Sequence, residues 1–162
     1  MIKADVDSSR RSVFLVVVDD TDEMKIALRF ACQRARRSNG SVALLYVLEP
    51  AEFEHWMAVK QLMEEERREE AEQVLHKWSG MVNELTGTMP QLYIREGKRT
   101  DTLLKIINDE PHLAALVLGA STKSEGPGPL VSHIVGKMSG RLKIPIIVVP
   151  GGLSDDEVDT LT

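Results

Sequence analysis

Residues 13–24 read VFLVVVDDTDEM, so an apolar run ends abruptly in Asp19, Asp20, Thr21, Asp22 and Glu23. Carboxylates at such a strand end can hold a divalent cation that receives a phosphoryl group, line the rim of a nucleotide pocket, or open a helix. The first use also requires a third aspartate at the end of the middle strand and a lysine followed by proline after the last. Here the strand ending near Arg95 and Glu96 has no such aspartate, and the last strand closes on VVPGG. The helix-opening use fits locally. Asp20 or Thr21 is a natural N-cap, and Asp20 with Glu23 has the reciprocal spacing of a capping box, worth about 1 kcal/mol with or without ligand. That accounts for one aspartate and leaves Asp19 as the candidate ligand group.

Little else in the chain is suited to bond breaking. His55, His76, His112 and His133 are scattered, with only His133 expected at the ligand face. The single Cys32 falls on the inward side of a helical pattern, where a thiol packs as a small hydrophobe. One cysteine excludes an internal disulfide and a multi-cysteine metal cluster. Without an activated nucleophile, an acid–base pair or a metal cluster, the expectation is binding without catalysis, with slow ATP turnover as the alternative. Asp19 and Asp20 suit a magnesium ion only through the phosphates of a bound nucleotide.

At 162 residues and 43% apolar content the chain suffices for one packed core, and a formal net charge of -5 gives no general attraction to nucleic acid or acidic lipid. No window approaches the roughly eighteen apolar residues of a membrane span. The expectation is a cytoplasmic protein without nucleic-acid or membrane partners.

The elements that must position Asp19 are legible as patterns. Runs at 12–18, 41–48, 113–119 and 143–150 are rich in Val, Ile and Leu without alternation, as in strands buried on both faces of a parallel sheet. A weaker run at 90–96 alternates. Helical stripes lie between them: Met24, Ala27, Leu28, Ala31 and Ala35; then Leu103, Leu104, Ile106 and Ile107, stopped by Pro111; then Ile134, Val135, Met138 and Leu142. Residues 51–87 form the longest helical stretch. Its charged run EEERREEAEQ reads as a solvated face or a partner-binding coil, over apolar anchors Trp56, Val59, Leu62, Met63, Val74, Trp78, Val82 and Leu85. Alternating strand and helix predict an α/β fold, a doubly wound five-stranded parallel sheet with helices on both faces. The expected single domain covers 12–150, between an N-terminal tail at 1–11 and an acidic C-terminal tail at 151–162 read as a solvated terminus.

Residues 12–150 resemble the universal stress protein family. The resemblance is carried by VVVDDTDEMKIAL, LLYVLEP, REGKRTDTLLKII, LVLGAST and SHIVGKMSGRLKIPIIVVP. In nucleotide-binding members a glycine closes the fourth strand, a second follows three residues on, and a third, with a serine or threonine, opens the last helix ten residues later. Glycines there let the main chain approach phosphates, and free N–H groups at a helix start attract anions. In this sequence those positions hold Gly119, Thr122, Ser132 and His133, so the spacing is kept and only the first glycine survives. Thr122 and Ser132 add side chains that either clash with phosphate or donate to it, and Ser132 is also a good N-cap for HIVGKM. His133 assists an anion as a cation, fills the phosphate space, or is a plain surface histidine.

The resemblance implies ATP or a related adenine nucleotide, with magnesium carried by it. The base would lie near Asp19, Asp20 and Val47, and the phosphates on Gly119, Ala120, Thr122, Ser132, His133 and Ile134. A non-nucleotide-binding interaction protein of the same family is the alternative. Gly126, Pro127, Gly128 and Pro129 read as a turn and Lys123 as solvated. Relatives pair their last strands, which implies a homodimer along the run that begins at Ile144 and closes at Val149. Gly136 and Gly140 would permit close packing, of helix on sheet or of subunit on subunit.

Overall fold

Unbroken apolar runs cannot face water on either side, so each must be covered twice. The computed structural model describes residues 12–50, 57–123 and 125–162. The runs become β1 (Val13–Val17), β2 (Ser41–Leu48), β3 (Gln91–Glu96), β4 (Leu113–Ala120) and β5 (Ile146–Pro150), with β3 the alternating one. All four pairings are parallel, in the order β3-β2-β1-β4-β5. Strand order therefore reverses between β1 and β4, and a crevice opens beyond their carboxyl ends. β3 and β5 are the edges.

Helices α1 (Asp22–Arg37) and α2 (Met57–Thr86) cover one face, over Phe14, Val16, Val42 and Leu44. The other face, with Leu15, Val17, Leu45 and Val47, is covered by α3 (Arg99–Asp109) and α4 (Pro129–His133). A π turn at Ile134–Met138 and a 3-10 turn at Ser139–Arg141 continue α4. Met24, Ala27, Leu28, Ala31 and Ala35 are all buried, as their spacing predicts. Among the described residues no helix is long and apolar enough to cross a membrane.

Cys32 is fully buried, and desolvation pushes its thiol up to about 12. Only the thiolate is nucleophilic. The native protein at pH 8 is therefore expected to resist an aromatic disulfide reagent that labels the denatured chain within minutes. Fast labelling of native protein would contradict this packing.

Two expectations need correction. Among the described residues the buried anchors of α2 begin at its midpoint: Ala71, Leu75, Trp78 and Val82 are buried, whereas Val59 and Leu62 are 47% and 57% exposed. A helix of 30 residues runs about 45 Å, while an eight-residue strand runs about 26 Å, so the first turns of α2 overshoot the sheet. Trp56 and His55 lie outside the described residues, as does the tail at 1–11.

The second correction concerns the acidic terminus, which forms α5 (Asp155–Leu161) and docks on α1 instead of remaining solvated. Ser154 and Glu157 close a capping box, with both bonds at 3.2 Å, and Val158 is fully buried. Arg29 grips Asp159 through two bonds of 2.9 and 2.8 Å, and Gln33 Nε2 donates to the same carboxylate at 3.0 Å. Arg37 and Arg34 donate to the carbonyls of Asp159 and Thr162. The acidic segment is held because α1 presents these basic groups to it.

The Arg29 bond holds the Asp159 carboxyl below its ordinary range. A depressed folded value means that this contribution to stability is present above the usual carboxylate range and is lost as pH falls through the folded value. Asp159→Asn is thus expected to speed amide hydrogen exchange across residues 155–161 severalfold at pH 7, with the difference from wild type closing in acid. Equal exchange at pH 7 would contradict the docking role of this carboxylate.

Candidate functional site

The site is built where β1 leaves the core. Val17 and Val18 are buried, and the chain emerges at Asp19. One oxygen, Asp19 Oδ1, accepts from the Thr21 amide at 3.1 Å and from the Thr21 hydroxyl at 2.7 Å. Thr21 Oγ1 in turn accepts from the Met24 amide at 3.2 Å, which caps α1. The cap is therefore Thr21, and the Asp20–Glu23 capping box is not formed. An N-cap needs extended backbone; Thr21 has it at φ -84 and ψ 160, whereas Asp20 sits at φ 58, a left-handed conformation that aspartate tolerates. The Asp20 side chain turns outward, 3.8 Å from Lys77 on α2.

Beyond the tips of β1 and β4 lies a cavity of about 290 Å³. Asp19, Thr21 and Glu23 form one wall, Val117 to Gly119 the floor, and Pro127, Gly128, Pro129, Leu130 and Val131 the opposite wall, with Arg99 reaching in from the start of α3. The lining thus carries two carboxylates and one guanidinium. Arg99 is 34% exposed, with its Nε 3.8 Å from Glu49 Oε1. Among the described residues no group of three His, Cys, Asp or Glu is placed to hold a metal ion.

Of the residues singled out from sequence, the cavity gathers Asp19 and Gly119. Asp20, Val47, Ala120, Thr122, Ser132, His133 and Ile134 are not in its lining. Val47 is packed in the core on the α3 face. Ser132 does not open α4, which is capped by Gly128 with φ 99 and begins at Pro129. Proline pre-sets the first helical φ and lacks only an N–H that would be unpaired there anyway. In consequence the Ser132 amide is already spent on the Gly128 carbonyl at 3.0 Å, and the Ile134 amide on Leu130 and Val131. Ile134 itself is fully buried, Ser132 is exposed and His133 half-buried. Ala120 accepts from the Gly151 amide at 3.0 Å, and Gly152 passes beside the Thr122 methyl, so the chain leaving β5 covers that flank.

Gly119 has a packing reason of its own. A methyl group there would stand 2.5 Å from the carbonyl carbon of Glu23 and closer still to its oxygen. The first turn of α1 crosses β4 on bare backbone. The residues missed from sequence are Arg99 and the opening of α4. For α4 a signal existed, since glycine followed by proline before an apolar run is a helix start; ahead of it the Ser121 N–H donates to the Pro127 carbonyl at 2.9 Å. A lone arginine after Gly97 carried no comparable signal.

Comparison with known proteins agrees with the fold. The family model described as the universal stress protein family matches residues 11–150. No curated protein matches the sequence. Among solved structures, the universal stress protein UspA from Lactobacillus plantarum is similar at TM-score 0.71 and 21% identity, over 86% of this chain and 98% of that one. A universal stress protein in complex with cAMP is similar at TM-score 0.61 and 14% identity, over 88% and 99%. One from Archaeoglobus fulgidus in complex with dAMP is similar at TM-score 0.51 and 16% identity, over 85% and 96%. At these identities the structural likeness shows the doubly wound fold. The family match spans the whole sheet and its crossovers, and this chain belongs to the universal stress protein family.

Proposed function

We propose that this chain is a cytoplasmic binding protein that takes an adenine nucleotide into the cavity between β1 and β4 and works without catalysis, as a homodimer paired through β5. One observation carries the reading: the cavity sits where strand order reverses, with the acceptor carboxylate of Asp19 and the guanidinium of Arg99 in its lining. Asp19 has one oxygen committed to Thr21 and, among the described residues, one left to accept from a ribose hydroxyl or the adenine amine. The relatives solved with cAMP and dAMP support the same class of ligand. Magnesium would enter only on the phosphates of such a ligand.

Titration calorimetry with AMP, and with ATP and magnesium, is the test, after checking whether nucleotide co-purifies. Saturable heat at one site per chain is expected. No heat and no thermal shift at millimolar nucleotide would remove the reading. Phosphate release from ATP over hours should stay at the level of buffer; sustained release would favour the slow ATPase instead.

A further inference from the structure

Arg99 is the one cationic side chain, among the described residues, that lines the cavity. It is the first residue of α3, and its Nε stands 3.8 Å from Glu49 Oε1 just past the end of β2. The facing wall carries Asp19 and Glu23. Charge is therefore polarised across the cavity: hydrogen-bond acceptors stand at the β1 tip and the α1 start, and the guanidinium donor at Arg99. An occupant must set its N–H or O–H groups against Asp19 and its anionic group toward Arg99.

The amount of negative charge the site accepts is bounded. A guanidinium matches one phosphate group in fork geometry. The further backbone donors that a glycine loop would add are missing, because the Ser132 and Ile134 amides are bonded within the helix. Thr122 lies outside the lining, on the flank that Gly152 covers. A second and third phosphate would have to run back toward two carboxylates or out into solvent.

We infer that Arg99, positioned by Glu49, is the phosphate-binding residue of this cavity and selects a nucleoside monophosphate over the triphosphate. This rests on the adenine-nucleotide reading above. The closing experiment separates the two: calorimetry of adenosine, AMP and ATP with magnesium against wild type, Arg99→Gln, Arg99→Lys and Glu49→Gln, each checked for folding by thermal unfolding. Wild type is expected to bind AMP at least about tenfold more tightly than ATP. Arg99→Gln should weaken AMP by about tenfold to a hundredfold and leave adenosine within about twofold. Arg99→Lys should recover part of the AMP loss. Glu49→Gln should weaken AMP by about threefold with adenosine unchanged, as expected for an exposed positioning partner.

Equal losses for adenosine and AMP in Arg99→Gln would show a role in cavity shape and overturn the assignment, as would ATP binding as tightly as AMP. In either case nucleotide binding itself would stand. If none of the three compounds binds wild type, the underlying reading fails and this assignment with it. Should Arg99→Gln not fold, Arg99→Lys and Glu49→Gln decide the question through the AMP-to-adenosine ratio, and an unchanged ratio in both would overturn the assignment.

Discussion

Gly119→Ala is expected to destabilise the protein by about 3 kcal/mol, and Gly119→Val to leave little folded material. The added carbon would press on the Glu23 carbonyl group, 2.5 Å from its carbon. The obstacle is backbone, which cannot rotate aside as a side chain can. Relief would require lifting the first turn of α1 from β4, a strand paired on both sides by β1 and β5. It would also disturb the Thr21 cap that the same turn begins with. For a domain of this size a 3 kcal/mol loss corresponds to a melting temperature lower by about 6–12 °C. Gly80→Ala is the control: it lies on the exposed side of α2 with open space around it, and should raise stability by about 0.8–1 kcal/mol through helix propensity. Calorimetric melts of the two variants should move in opposite directions. An unperturbed Gly119→Ala would mean that α1 does not cross β4 as described.

Val148→Lys is expected to turn the proposed dimer into a monomer. β5 is a sheet edge, its Val148 side chain is 39% exposed, and Ile146 and Ile147 are only half-buried. An uncovered apolar edge invites pairing with another strand. Across a two-fold axis each strand meets itself, so one substitution introduces two lysines into one antiparallel ladder. The dimer dissociation constant should rise by at least about a hundredfold. Sedimentation between micromolar and tenth-millimolar protein reads this directly. Leu92→Lys, on the opposite edge strand β3 and 49% exposed, should leave the dimer intact. Wild type sedimenting as a monomer throughout would dismiss the pairing.

The sheet was legible because burial on both faces leaves an unmistakable composition. Leu15, Leu44, Leu45 and Leu116 are all fully buried, and each falls in a run readable as a strand. Other features depended on partners distant in sequence. The acidic terminus reads as solvated until Arg29, 130 residues away from Asp159, is placed beside it. Val59 and Leu62 read as anchors because periodicity carries no information about where the sheet beneath a helix stops.

At the site, Asp19 and Gly119 were legible from their strand ends, whereas the start of α4 was displaced by the assumption that a phosphate-loop spacing still marked it. Gly128 and Pro129 set that start by backbone preference, which leaves the Ser132 and Ile134 amides inside the helix. The Asp20–Glu23 spacing misled for a similar reason: two adjacent residues competed for one cap, and only Thr21 has the required extended backbone.

The central claim is that ligand enters between the tips of β1 and β4. Amide chemical shifts of isotope-labelled protein titrated with AMP test it most directly. The account predicts saturable shifts concentrated at Asp19, Thr21, Arg99, Gly119, Leu130 and Val131, with little change at Leu92 and Val148 on the two sheet edges. Saturable shifts centred away from the cavity, or none at millimolar AMP, would contradict it.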